Sequence, residues 1–137
     1  MLSPEPFYAD ELVTGDLEKA AHTYELCGQT YPKDNTPHGH LGNIYGDLGY
    51  PEKKLAASRE EVRLDPNEEL GYINLATAYL YLNRLDDVEE VYKQGHQHTE
   101  WYADLYKHAY LSAFLKGDTR QMAQITAAIM GKPGWKE

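Results

Sequence analysis

The chain has 137 residues, the size of one domain, and 42% of them are hydrophobic. Twelve tyrosines and two tryptophans argue against disorder, because disordered chains are poor in aromatic residues. Asp and Glu outnumber Lys and Arg by 22 to 13, so the formal net charge is −9 and we expect no nucleic-acid partner. No apolar run approaches the roughly 18 residues that span a membrane. With one cysteine and no visible signal peptide, we expect a cytoplasmic protein without membrane contact.

Apolar residues follow a helical spacing along the chain, as at Leu85 and Val88, and no alternating run predicts a strand. Aspartates at helix starts accept backbone amide hydrogen bonds, and Asp16, Asp65 and Asp118 are predicted to do so. The predicted fold class is all-α. In chain order, the predicted helices cover residues 4–14, 17–29, 36–48, 52–63, 68–82, 85–97, 102–115 and 119–130.

A 34-residue period organises these helices. Gly15, Gly49, Asn83 and Gly117 are spaced by 34 residues, and each stands between two predicted helices. Gly and Asn tolerate the left-handed backbone conformation that ends many helices, so each position predicts a helix C-terminus. Four units of this length account for the chain. This predicts a single domain, 1–137, with repeats at about 1–34, 35–68, 69–102 and 103–137.

The motifs within this period resemble those of the tetratricopeptide repeat (TPR) family. The second unit has Leu-Gly-x-x-Tyr at 41–45, the third has Leu-Ala-x-x-Tyr at 75–79, and Pro32 and Pro66 each follow a second helix. The resemblance implies an alpha-alpha superhelix (TPR solenoid) of about four helix-turn-helix repeats and eight helices. The second unit departs from the pattern, which argues against close packing of its second helix. Lys54, Ser58 and Glu61 stand there where the family has Ala, an aromatic residue and Ala.

The resemblance also implies a concave groove lined by the first helix of each repeat. Its mixture of apolar anchors and side-chain amides suits an extended peptide, because amides both donate and accept hydrogen bonds. The predicted binding residues are His40, Asn43, Asp47, Asn74, Thr77, Tyr81, Lys107, His108, Leu111 and Phe114. Further lining positions are Glu5, Ala9, Leu12, Val13, Gly39, Ile73, Leu80 and Asp104.

Two of the asparagines match a carboxylate clamp that chaperone-binding members of this family use. Asn43 and Asn74 occupy two of its five positions, but the other three require Lys or Arg, and here they hold Gly39, Asp104 and His108. An anionic C-terminus would meet Asp104 instead of a cation. We therefore reject the clamp, and the two asparagines either contact a peptide or are simply residues that such repeats often carry.

The sequence favours neither a metal site nor an enzyme. The histidine pairs 38/40 and 96/98 cannot chelate one ion within a helix, because residues two apart point in nearly opposite directions, and solvated histidines are expected. No nucleophile-elbow, phosphate-loop or zinc-protease motif is present, so we expect no catalytic residue and no cofactor. Cys27 is predicted to be a buried packing residue.

The amino-acid sequence of the repeats, including residues 64–67 and 114–119, further resembles that of arrays attached to bacterial serine/threonine kinases or transcription regulators. The expected function is a non-catalytic protein- or peptide-binding scaffold in such a signalling protein. The alternative is a structural module that self-assembles through its ends and holds no groove ligand. Weak end-to-end or two-fold self-association would then occur through the last helix, on which Met122, Ile125 and Ile129 form one face and Gln121, Gln124 and Ala128 lie elsewhere.

Overall fold

The computed structural model describes residues 15–98, 103–130 and Lys132. These residues form seven helices and no strand, and every end lies within one residue of its predicted position. The predicted first helix, 4–14, and the lining positions Glu5, Ala9, Leu12 and Val13 lie outside the described residues, so the division into four repeats stays a prediction. The helices are α1 (Leu17–Thr30), α2 (Thr36–Asp47), α3 (Pro51–Leu64), α4 (Glu69–Tyr81), α5 (Leu85–His98), α6 (Ala103–Lys116) and α7 (Thr119–Ile129).

The four residues spaced by 34 all adopt the left-handed conformation that was predicted. Their φ angles are 63° at Gly15, 76° at Gly49, 53° at Asn83 and 70° at Gly117. After each of the last three, the next amide donates to the carbonyl five residues back, which closes the helix end. The distances are 2.8 Å from Tyr50 to Tyr45, 2.9 Å from Arg84 to Tyr79 and 2.9 Å from Asp118 to Ala113.

Two of the three predicted helix caps are confirmed. The side chains of Asp16 and Asp118 accept backbone amide hydrogen bonds of 3.0 and 2.9 Å at the starts of α1 and α7. The prediction for Asp65 is wrong, because its side chain accepts from the amide of Asn67 at 3.1 Å within the turn that follows α3. Glu68 caps α4 instead, since the chain needs two further residues to leave the proline turn before it re-enters a helix.

The helices stack as a solenoid. Each helix packs against the next in sequence, and α4 also contacts both α2 and α6, whereas α1, α3, α5 and α7 make no such contacts with one another among the described residues. We call the side formed by α2, α4 and α6 the inner wall. The buried apolar residues form three clusters along the stack, centred on Ile44, Leu75 and Ala109. The second and third clusters share Tyr92 as a neighbour, so apolar packing continues between them.

A contact between successive repeats recurs with the same period. The Tyr45 hydroxyl donates to the Glu25 carboxylate, and 34 residues later Arg59 donates to the Tyr79 hydroxyl at 3.0 Å. In each case a second-helix residue reaches the tyrosine of the next repeat. Burial, together with the Glu25 carboxylate, raises the pKa of Tyr45 to about 12.

The second helix of the second repeat is closely packed, which corrects the expectation drawn from its sequence. Lys54, Ser58 and Glu61 keep only 3%, 0% and 5% of their surface exposed. They form a polar stripe along α3, and Lys54 Nζ donates to the carbonyl oxygen of Gly42 at 3.1 Å. The same helix contributes Ala57 to the first apolar cluster and Leu55 to the second.

Glycines on α2 make this packing possible. A Cβ atom added at Gly46, Gly42 or Gly39 would lie 3.2, 3.2 or 2.7 Å from the nearest side-chain atom of the stripe, so the two helices approach closely there. The antiparallel helices pair these residues in reverse order. Lys54 meets Gly46, Ser58 meets Gly42 and Glu61 meets Gly39.

Candidate binding groove

The ten predicted binding residues all lie on the three helices of the inner wall. They differ in how much of each side chain a partner could reach. The exposed residues are Asn43, Asp47, Tyr81, Lys107, Leu111 and Phe114. The half-buried residues are His40, Asn74, Thr77 and His108. Whether these residues contact a partner stays a prediction.

A polar cleft opens between α2 and α4. Its volume is about 350 Å³, which is room for one long side chain or a short stretch of extended peptide. Three of the predicted residues, His40, Asn43 and Asn74, come together here. The other lining residues are Asn35, Thr36, Gly39, Glu61, Glu68 and Leu70.

Glu61 contributes a buried carboxylate to this cleft. Asn74 Nδ2 donates to Glu61 Oε2 at 3.0 Å, which ties the carboxylate to α4. Burial raises the pKa of Glu61, and the Asn74 hydrogen bond opposes that shift. Burial likewise lowers the pKa of Lys54, whose positive charge acts on Glu61 from within the polar stripe.

Sequence reasoning did not identify Glu61 as a groove residue, because Glu61 belongs to the second helix of its repeat and only first helices were assigned to the groove. The sequence did contain one indication that Glu61 faces the groove. Gly39 lies at the groove position directly opposite Glu61 in the antiparallel pair, and a glycine there leaves the residue behind it uncovered.

Two histidines hold the inner wall together. The His40 ring stacks on Tyr24 of α1, with ring centroids 4.7 Å apart. His108 Nδ1 donates to the carbonyl oxygen of Asp104 at 2.6 Å, and its Nε2 lies 2.9 Å from Thr77 Oγ1. His108 and Thr77 therefore join α6 to α4, and both are less available to a partner than their groove positions suggested.

The part of the inner wall nearer the C-terminus is more apolar. Tyr81 on α4 is 61% exposed, and Leu111 and Phe114 on α6 are 44% and 60% exposed. A large, partly exposed side chain loses little conformational entropy when a partner orders it and gains hydrophobic free energy when the partner buries it. These three residues therefore serve as anchors for a partner. Lys107 lies on the same helix and pairs with Asp104 at 2.7 Å.

The remaining histidines and Cys27 do not line the cleft between α2 and α4. Within residues 15–98 and 103–130, no group of three or more His, Cys, Asp or Glu side chains is placed to hold a metal ion. His96 is exposed, as expected of a solvated histidine, and its Nδ1 also lies 3.0 Å from the Tyr106 hydroxyl on the neighbouring helix. Cys27 is half-buried instead of fully buried, and burial raises the pKa of its thiol. None of the described helices is long and apolar enough to cross a bilayer.

Comparison with known proteins defines the fold. No protein-family model matches the sequence, and a search of curated proteins finds no match. Forty-eight chains of solved structures match. The crystal structure of MamA superimposes with a TM-score of 0.79 at 21% identity, covering 91% of this chain and 74% of that chain. The fold is a TPR-like helical solenoid. A MamA double mutant (MamA RS-1 ArsTM) gives 0.77 at 18% identity, covering 93% and 74%.

Proposed function

We propose that this chain is a non-catalytic scaffold that binds a protein or an extended peptide along its inner wall, as a cytoplasmic module of a bacterial signalling or regulatory protein. The observation that carries the proposal is the exposure of Tyr81, Leu111 and Phe114 on adjacent helices of that wall. The resemblance of the repeats to arrays in bacterial signalling proteins supports the cellular context.

The size of these anchors is consistent with a specific but moderate affinity. Full burial of a large apolar side chain contributes about 1.5–3 kcal/mol, and the three side chains are already about half buried. They therefore supply roughly 3–4 kcal/mol together, whereas a micromolar complex requires about 8 kcal/mol. The polar cleft between α2 and α4 must supply much of the difference.

A displayed library of 12-residue peptides, panned on the whole chain, provides ligands for a direct test. Fluorescence anisotropy then measures each selected peptide against wild type, against Tyr81→Ala/Phe114→Ala and against Leu26→Ala. Leu26 is 50% exposed on α1, a helix that contacts neither α4 nor α6, so Leu26→Ala is a matched control. We expect the double variant to bind at least tenfold more weakly and the control to bind within twofold of wild type.

Equal binding by wild type and the double variant, with both folded by circular dichroism, would mean that the inner wall is not the binding surface. Asn74→Ala is not a suitable probe, because Asn74 also supports the buried Glu61 carboxylate. Asn43→Ala replaces it, since the Asn43 side chain is exposed in the same cleft.

The self-assembly alternative is supported by little exposed apolar surface on the last helix. Ile125 of α7 is 3% exposed and packs on α6, and Met122 and Ile129 pack against the same cluster. The apolar face of α7 is therefore used within the chain, and self-association through this helix would have to use its other side, where Gln124 and Ala128 are exposed. Sedimentation velocity tests the alternative: a monomer at every concentration up to the millimolar range would remove it.

A further inference from the structure

The polar cleft between α2 and α4 has a negative character. Its described lining residues include two carboxylates, Glu61 and Glu68, and no lysine or arginine. Lys54 lies behind Glu61 in the polar stripe, where its Nζ is already bonded to the Gly42 carbonyl. The cleft therefore attracts a cation and repels a peptide C-terminus.

Gly39 gives the cleft access to the Glu61 carboxylate. A Cβ atom at Gly39 would lie 2.7 Å from Glu61 Oε1 and 3.2 Å from its Cδ, so any other residue would cover or displace the carboxylate. Glu61 is 5% exposed, and its oxygens accept from Asn74 on one side. An ionised carboxylate has about four acceptor positions, so lone pairs remain for a ligand.

The packing of the repeats does not explain this carboxylate. The positions equivalent to Glu61 at the 34-residue period are Cys27, Gly95 and Ile129, which are all uncharged. The solenoid is therefore built without a charge at this position in the other units. A buried charge is costly unless it is compensated. Lys54 compensates Glu61 only in part, because its Nζ bonds to the Gly42 carbonyl, and the glycine opposite leaves the carboxylate open to a further cation, which indicates a role in binding.

We propose that the cleft binds the guanidinium group of an arginine in a basic peptide segment of a partner protein, with Glu61 as its counter-ion. The proposal rests on the proposed function and adds the chemistry of the ligand. A guanidinium suits the site better than an ammonium, because its planar fork matches a carboxylate with two donors and leaves further donors for the side-chain amides of Asn43 and Asn74, which line the same cleft. The net charge of −9 favours the approach of such a segment.

The first test needs no natural partner. The ¹⁵N-labelled whole chain is titrated with N-acetyl-arginine amide and, separately, with N-acetyl-citrulline amide, which has nearly the same shape and no charge. We expect arginine to shift the Gly39 backbone amide and the Asn74 side-chain amide in a saturable way, and citrulline to shift them little. Equal shifts with both probes, or no shift with arginine, would overturn the proposal.

Variants locate the effect. Glu61→Gln should weaken arginine binding at least fivefold, while Glu60→Gln, which changes the neighbouring carboxylate paired with Arg63 outside the cleft, should leave it within twofold. If Glu61→Gln is unstable because Lys54 loses its counter-charge, Lys54→Met/Glu61→Gln removes both charges and takes its place. Undiminished arginine binding by whichever of these variants is folded would contradict the role of Glu61.

The displayed peptides separate this proposal from the proposed function. Selected peptides that need Tyr81 and Phe114 but carry no arginine, or that bind Glu61→Gln as tightly as wild type, would overturn the arginine site and leave the scaffold function intact. Arginine-dependent shifts at Gly39, combined with peptides indifferent to Tyr81→Ala/Phe114→Ala, would support the site and count against the wider groove.

Discussion

Replacing Lys54 by methionine should destabilise the chain by about 3 kcal/mol, because the substitution leaves the Glu61 carboxylate buried without a cation near it. Lys54 is 3% exposed and Glu61 is 5% exposed, so water compensates each charge only weakly. Methionine keeps most of the lysine stem, and the cavity term is therefore small. The effect therefore reports the loss of charge compensation and of the hydrogen bond from Lys54 Nζ to the Gly42 carbonyl, and not the loss of packing.

The magnitude follows from how the two charges are arranged. Removing one partner of a buried ion pair costs about 3–5 kcal/mol, whereas replacing both partners by neutral residues of similar size is often neutral or stabilising. The lower end applies here, because Lys54 Nζ bonds to the Gly42 carbonyl and its charge acts on Glu61 at longer range than in a contact ion pair, and because Asn74 still donates to Glu61 at 3.0 Å. Lys54→Met/Glu61→Gln should therefore lie within about 1 kcal/mol of wild type, which gives a coupling of at least 2 kcal/mol.

Urea unfolding followed by far-UV circular dichroism at pH 7 measures wild type, the two single variants and the double variant. Lys53→Met is the control, since Lys53 is exposed on the same helix and its removal should change the free energy of unfolding by less than about 0.5 kcal/mol. A coupling below about 0.5 kcal/mol would show that the two buried charges do not stabilise each other, and the charge-compensation argument would fail.

Three further predictions concern stability. Ser58→Ala should stabilise the chain by about 1 kcal/mol, because the buried Ser58 hydroxyl has no hydrogen-bond partner among the described residues, and a thermal melt would reveal the gain. Gly95→Ala should cost about 1–3 kcal/mol, since its Cβ would lie 2.6 Å from Leu105, whereas Gly28→Ala has space at 3.6 Å and should stabilise by about 0.5–1 kcal/mol in the same melt. The stability of wild type relative to Lys54→Met/Glu61→Gln should be lowest near neutral pH, as urea titrations at several pH values would detect. Because the pKa of Glu61 is raised in the folded state, wild type gains stability as pH falls towards 4.5. Because the pKa of Lys54 is lowered, wild type also gains stability as pH rises towards 10.5. A difference in unfolding free energy between the two proteins that does not change with pH would count against both pKa shifts.

The helix boundaries were predictable because a few residues determine them locally. Gly15, Gly49, Asn83 and Gly117 end a helix through their own backbone preference, and that preference acts whatever the tertiary contacts are. Asp65 is a position where the local preference of a residue did not determine the helix boundary. Its type suits a helix start, but the proline after it places a turn before α4, so a cap preference alone did not locate the first helical residue.

The close packing of the polar stripe could not be predicted by comparing each residue separately with the family pattern. Lys54, Ser58 and Glu61 look unsuitable for close packing when each is judged alone. Their suitability depends on Gly46, Gly42 and Gly39, which face them in reverse order across the helix pair and leave room for their side chains. The groove assignment is limited in the same way. Thr77 and His108 occupy groove positions, yet their distance of 2.9 Å shows that they contact each other.

The same carboxylate joins the packing of the chain to its proposed recognition of a partner. Glu61 is held by Asn74 on α4 and uncovered by Gly39 on α2, so a small shift between these helices would move the carboxylate relative to the cleft. An arginine that binds Glu61 would also compensate the buried charge, and ligand binding should therefore stabilise the folded chain by mass action. Gly39 leaves room for the Glu61 side chain between the two helices, and it also leaves the carboxylate open to the inner wall. An uncharged residue at position 61, as in the other units, would satisfy the packing without a buried charge, so the charge itself is what the proposed recognition of arginine explains.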